Sequence, residues 1–179
     1  MGFSLFFLLI CFAIHKTQSA SFKDRQLSPV SDHCPNGSVR HDQSCYLFSH
    51  LLANWPESMV YCQAYGAHLA FIESDREQKF IQAQVFSTMG SQTDPLKFFW
   101  LGGTDAVSEG EWFWANIVEP ITYTNWNPGE PNNDNNHDDH HQDCLAMYSS
   151  SGLWDDGYCE VKHNFICEIE LNSEVPIVG

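Results

Sequence analysis

The chain has 179 residues, with 23 acidic against 8 basic side chains and a formal net charge of −15. So few Lys and Arg argue against nucleic acid or an anionic membrane as partner, since both are held mainly by basic side chains. The length suits one leader and one domain able to build its own core, and beyond the leader no stretch approaches the ~20 apolar residues of a membrane helix.

Residues 1–19 read as a signal peptide. Phe3 to Ile14 is apolar and Thr17-Gln18-Ser19 offers small residues for cleavage, although the usual basic start is missing. The protein is therefore expected to be secreted and extracellular. Losing Lys16 with the leader takes the net charge from −15 to −16. Cys11 leaves as well, and Cys34, Cys45, Cys62, Cys144, Cys159 and Cys167 remain. An even number in an exported domain implies disulfides but leaves their pairing open. No CxxC pair is present, so a zinc knuckle or thioredoxin-like centre has no support.

Residues 20–33 are polar and read as a loose leader to the domain. The loop between Cys34 and Cys45 carries the sequon Asn36-Gly37-Ser38, which makes Asn36 the glycosylation candidate. Tyr46-Leu47-Phe48 reads as a short strand. A helix follows, with Asn54 as N-cap, Pro56 in the first turn, Met59, Cys62 and Ala64 on helical spacing, and Gly66 as the stop. A second helix starts at the capping box Ser74-Asp75-Arg76-Glu77, with Phe80, Ile81 and Val85 as its buried face. Phe98 to Leu101 reads as a buried strand that stops at Gly102-Gly103, and Glu111 to Trp114 is aromatic and strand-like. From Asn116 to Gln142 regular pattern fades into a long loop rich in Asn, Asp, His and Pro, and loops of that length are usually functional. Cys144 to Tyr148, Leu153-Trp154 and Asn164 to Ile169 close the sheet. Two helices before a run of strands give an α+β class.

The polar loops carry the chemistry. Glu130 and Asn132 flank Pro131, and Asp155 and Asp156 follow Trp154. Carboxylate and amide oxygens are what a hard cation such as calcium takes. Asn and Gln also donate N–H, so the same side chains can grip the hydroxyls of a ligand on that cation.

Taken jointly, these marks resemble the C-type lectin-like domain over residues 34–170, leaving 171–179 as a tail. They are the Cys-loop-Cys start, Tyr61-Cys62, Gly66-Ala67-His68-Leu69-Ala70, Trp100-Leu101-Gly102, the segment Trp126 to Asn132, Cys144, Trp154-Asp155-Asp156, Cys159 and Phe165-Ile166-Cys167. The resemblance implies a C-type lectin fold of two helices packed on small antiparallel sheets, with a long calcium-binding loop region. It also implies the disulfides Cys34–Cys45, Cys62–Cys167 and Cys144–Cys159, the first marking the long form of the domain. In the family a calcium ion held by Glu-Pro-Asn binds two vicinal sugar hydroxyls, and the proline is cis. Carried over, the primary calcium ligands are Glu130, Asn132, Gln142, Asp155 and Asp156, and the sugar-binding set is Glu130, Asn132, Gln142 and Asp155.

Two positions depart from the family pattern. Gln142 stands where the family usually has Glu, and Asp155 where it usually has Asn. Each change alone alters the site's charge, and together they cancel, leaving three carboxylates. The second acid–amide pair is then present with acid and amide exchanged, which reverses donor and acceptor at one of the two hydroxyls. Glu-Pro-Asn is the pattern of mannose, N-acetylglucosamine, glucose and fucose binders, which stay the expected ligands. Gln-Pro-Asp, exchanged in the first pair, is the galactose pattern, so the reversal here keeps galactose-type or broad specificity as the alternative.

The resemblance also implies an auxiliary calcium at Asp105, Glu109, Asn133 and Asp143. The loop from Asp134 to His141 is about four residues longer than the family's usual one and offers three His and three Asp, ligands for zinc or copper. It reads first as a solvated acidic tip.

Other classes fare worse. No HExxH helix or GxSxG elbow is present, so the chain does not read as an enzyme, a metal-dependent glycan hydrolase included. A lectin-like domain binding a protein without calcium is the remaining alternative, yet such relatives typically lose the ligands kept here. The partners implied are glycans of glycoproteins or microbial surfaces, in innate immune or particle recognition. Weak single sites favour a homo-oligomer. His68 and His163 read as structural, and Trp100, Trp112, Trp114, Trp126 and Trp154 as core and loop anchors.

Overall fold

The computed structural model describes residues 33–89, 97–134 and 141–171. The expected signal peptide, most of the expected leader and tail, and residues 135–140 of the His/Asp loop lie outside them. Helix α1 (Trp55–Ala64) begins where expected. Asn54 Oδ1 accepts from Glu57 N and Glu57 Oε2 accepts from Asn54 N, a complete capping box, and Gly66 ends it at φ 69°. Its buried stripe is Trp55, Ser58 and Cys62, and Ala64 is exposed. The stripe runs through a serine because Ser58 Oγ donates to Asn54 O and so hides its own hydroxyl. Helix α2 (Asp75–Met89) buries Ile81 and Val85, with Phe80 half-buried.

The described residues also form nine strands. They are β1 (Val39–His41), β2 (Ser44–Phe48), β3 (His68–Leu69), β4 (Phe98–Thr104), β5 (Phe113–Trp114), β6 (Glu119–Pro120), β7 (Cys144–Tyr148), β8 (Trp154–Gly157) and β9 (Asn164–Glu170). The main path is β1-β2-β9-β4-β5-β6, with β3 on β9, and β7 between β4 and β8. All pairs are antiparallel except β4 with β9.

Strand β4 is the spine, and its side chains alternate as a strand requires. Phe99 and Leu101 pack with Ile81, Val85 and Leu145, whereas Trp100 packs with Trp55, Cys62 and Phe165. The expected stop at Gly102-Gly103 is overturned, since β4 runs through both glycines to Thr104. They mark close packing. A Cβ on Gly102 would lie 2.6 Å from the Phe71 ring, and one on Gly103 2.7 Å from Leu145.

The three disulfides pair as the resemblance implied, Cys34–Cys45, Cys62–Cys167 and Cys144–Cys159. Cys62–Cys167 spans 105 residues and ties α1 to β9, a closure worth about 4–5 kcal/mol on chain entropy. Cys144–Cys159 ties β7 to the segment after β8. Asn36, in the first disulfide loop, is exposed. No helix of the described residues is long and apolar enough to cross a membrane.

One acidic cluster arises from strand pairing and the docking of α2. Tyr46 lies opposite Glu168 in the β2–β9 register, and its hydroxyl is 3.0 Å from Glu168 Oε1 and 2.5 Å from Glu77 Oε1 on α2. One hydroxyl proton cannot serve both carboxylates. Burial pushes Glu77 from 4.5 to about 7, against the lowering effect of the Tyr46 and Glu73 N–H bonds. A carboxyl raised on folding holds a proton the unfolded chain releases, so stability falls as pH rises through that window. Between pH 4.5 and 7 the protein should lose about 1 kcal/mol from this group, allowing for solvent screening. Glu77→Gln should flatten the dependence in thermal melts; an unchanged slope would remove Glu77 as its source.

Candidate functional site

The loop before Cys144 is fastened to β8 by its aromatics and backbone. Trp154 is fully buried, and its Nε1 donates to Gln78 Oε1 on α2. Trp126 packs edge-on against Trp154 and Trp112 against Trp126, with centroids 5.7 and 4.9 Å apart. Asn127 N donates to Trp154 O and Trp154 N to Asn125 O, both at 2.8 Å. A turn through Gly129 (φ 103°) then delivers Glu130, and the Glu130–Pro131 peptide is cis.

This brings Glu130, Asp155 and Asp156 together, with one oxygen of each within 4.8 Å of the others. Asp156 is only 2 % exposed. Its carboxylate accepts from Asn132 N at 3.0 Å and Asn133 N at 2.6 Å, so it folds the loop onto β8. Glu130 is pushed up to about 7, first by burial and then by Asp155 and Asp156, and the two carboxyls of Glu130 and Asp156 share a hydrogen bond. The second oxygen, Glu130 Oε2, is buried without a protein partner. Burial also raises Asp155, and a hydrogen bond from Tyr148 opposes that shift. Tyr148 thus stands at the site's edge.

Gln142 closes the floor. Its Nε2 donates to Asp156 O (3.0 Å), its Oε1 accepts from Asp134 N (2.5 Å), and its backbone N–H donates to Asn133 Oδ1 (3.0 Å). Asn132 is exposed beside this frame. Three close carboxylates, two of them raised and one with an orphaned oxygen, repel one another unless protons or a cation intervene. With the carboxamide of Asn132 adjacent, the donor set suits a hard divalent cation.

A second acidic group lies nearby. Glu109, His141 and Asp143 also bring ligand atoms within 4.8 Å of one another. Asp105 and Asn133, expected beside Glu109 and Asp143, are in contact with this group, and His141 is the member the sequence reading did not place in it. Asp155 and Asp156 stand on β8, and the other acids of the two clusters sit on loops. A groove of about 640 Å³ along α1, lined by Leu52, Pro56, Val60, Tyr61 and Lys162 among others, contains none of their acids. His68 and His163 are packed among aromatic rings. His68 stacks on Phe71, and His163, beside Trp100, is lowered by burial to about 4.

A three-disulfide α+β domain with cation-fitting acids on surface loops is a binding module in form. The chain belongs to the lectin C-type domain family, whose family model matches residues 52–169. It is 35 % identical over 141 residues to the human C-type lectin domain family 10 member A, covering 78 % of this chain and 41 % of that one. It is 31 % identical over 141 residues to the galactose-specific lectin nattectin of Thalassophryne nattereri, covering 77 % and 81 % respectively. The mouse scavenger receptor C-type lectin carbohydrate-recognition domain superposes with a TM-score of 0.68 at 30 % identity, over 78 % of this chain and all of that domain. The chain thus spans about two fifths of the first relative and most of the second.

Proposed function

We propose that the protein is a secreted calcium-dependent lectin, not an enzyme, that binds sugars through vicinal hydroxyls at Glu130, Asn132, Gln142, Asp155 and Asp156. The observation that carries the reading is the convergence of three carboxylates with Glu130 Oε2 buried and unpartnered. A bound calcium would neutralise these acids and offer coordination positions to sugar hydroxyls. Glu130 and Asp155 then accept hydroxyl protons, and the amides of Asn132 and Gln142 donate N–H to hydroxyl oxygens. Gln142 Oε1 keeps a second lone pair beyond its bond from Asp134 N, so it can serve the cation while bracing the loop. Mannose, N-acetylglucosamine, glucose and fucose are the proposed ligands, carried on glycoproteins or microbial surfaces, and innate immune or particle recognition is the proposed role. Asn36 is the proposed glycosylation site. Useful avidity requires several sites, which a homo-oligomer would supply.

The second reading is galactose-type or broad specificity. It is favoured by the exchange of acid and amide at Gln142 and Asp155, and by the likeness to a galactose-specific relative. Passage over mannan and galactose resins with and without EDTA tests both. Retention on mannan in calcium and release by EDTA is expected. Exclusive retention on galactose would select the second reading, and retention in EDTA would remove calcium from the mechanism.

A further inference from the structure

We propose that Glu109, His141 and Asp143, with Asp105 behind them, form a binding site for a first-row transition cation of the zinc class, in place of a second calcium. Two of the ligands stand on braced backbone. Asp143 O accepts from Thr104 Oγ1 (2.7 Å) and Asp105 N (3.3 Å), and Cys144 beyond it is disulfide-bonded. Glu109 lies in a turn closed by Ser108 N on Asp105 O and Gly110 N on Asp105 Oδ2, both at 2.9 Å.

The third ligand, His141, is presented by its Nδ1. Asn133 Oδ1 accepts from Gln142 N, which can only donate, and this fixes the orientation of the Asn133 amide. Asn133 Nδ2 therefore points its hydrogens at Glu109 Oε2 (2.5 Å) and His141 Nδ1 (3.3 Å). His141 Nδ1 is then the acceptor of that contact and aims its lone pair at the spot Glu109 also faces. An amide NH₂ bridging a carboxylate and an imidazole occupies the position a cation would take. A ring-nitrogen lone pair is what a metal takes from histidine.

Asp105 supplies an independent sign. It is only 3 % exposed, and with Oδ2 engaged by Gly110 N its Oδ1 is buried without a partner. Its backbone N–H donates to Asp143 O at 3.3 Å and its Oδ2 accepts from Gly110 N beside Glu109, which sets it against the same cluster. A buried carboxyl oxygen without a donor is costly, and a cation would relieve it.

The donor set decides the metal. Calcium takes about 6–8 oxygen ligands, whereas imidazole with carboxylates suits zinc and its neighbours. Here a ring nitrogen joins the group, and Asn133 turns its nitrogen toward it and its oxygen away. The set expected for calcium, Asp105, Glu109, Asn133 and Asp143, thereby loses an oxygen and gains a nitrogen. The inference stands apart from the sugar reading, which uses the other cluster.

Cobalt titration of the full secreted protein in excess calcium provides the test, read by visible absorption and by displacement with zinc. One equivalent of cobalt should bind and be displaced by equimolar zinc. His141→Ala and Glu109→Gln should each weaken binding about tenfold or more, since even losing a supporting partner of a ligand costs about that. Asp156→Asn should leave cobalt binding unchanged. The site is overturned if His141→Ala binds cobalt normally, if excess calcium prevents binding, or if the signal depends on Asp156, His137 or His140 instead. Mannan retention of His141→Ala, expected to match the parent, reports separately on the sugar site.

Discussion

Asp156→Ala should abolish both calcium-dependent sugar binding and the thermal stabilisation by calcium. Asp156 accepts from Asn132 N and Asn133 N, shares a hydrogen bond with Glu130, and is almost wholly buried. Alanine removes one of three clustered carboxylates and leaves two loop N–H groups without their acceptor. At a calcium concentration about a hundred times its Kd, binding should stabilise the parent by about 2.7 kcal/mol. For a domain of this size that is roughly 5–10 °C in Tm. The alanine variant should show no such shift. In EDTA it should also lose about 2 kcal/mol, from the two orphaned N–H groups less the relief of acid repulsion. Asp156→Asn separates the roles, because an amide oxygen still accepts from the loop but the charge is gone. It should keep much of the EDTA stability and lose the calcium shift. A calcium shift of parental size in Asp156→Asn would mean that this cluster does not bind the ion.

What the sequence made legible divides along chain distance. Glu130, Asp155 and Asp156 could be placed together because their motifs resemble a known pattern, and the capping residue Asn54 could be found because its partner Glu57 is three positions away. The Tyr46–Glu77–Glu168 cluster has no such signal. Its members are 31 and 122 residues from Tyr46, and only β2–β9 pairing and the docking of α2 bring them together. His141 was visible as a possible ligand within its own loop, but its neighbour Glu109 lies beyond β5 and β6 in the chain. Gly102-Gly103 misled for a physical reason. Glycine in a strand reads as a breaker until the close approach of Phe71 and Leu145 is known. Gln78 carried no signal of its burial, since a buried amide on a helix makes sense only with Trp154 Nε1 and Gly152 O as its partners. Local grammar thus located the loop acids and the helix ends. It could not supply contacts that depend on which strands become neighbours.

The exchange of acid and amide between positions 142 and 155 should behave as a compensated pair. Asp155→Asn alone leaves two carboxylates and should weaken calcium about a hundredfold, near 2.7 kcal/mol. Tyr148 can still donate to the new amide oxygen, so loss of folding is not the cause. Gln142→Glu alone adds a fourth carboxylate but loses the donor that now meets Asp156 O at 3.0 Å. Its carboxylate would face that carbonyl oxygen and repel it, so the calcium-free variant should be less stable by about 1 kcal/mol. Calcium affinity of this variant should stay within about tenfold of the parent, because the added charge and the lost brace oppose each other. In the double variant the carboxylate count returns to three, and affinity should recover to within about tenfold of the parent. With Gln142→Glu alone at the parent's affinity, the coupling energy from the cycle would be about 1.3 kcal/mol or more, well outside additivity. Donor and acceptor at the second hydroxyl are also restored to the family's usual sense, so any galactose binding by the parent should fall relative to mannose. Additive losses in the double variant would show that Gln142 serves only as a loop brace, and that the charge of this site is set by Glu130, Asp155 and Asp156 without it.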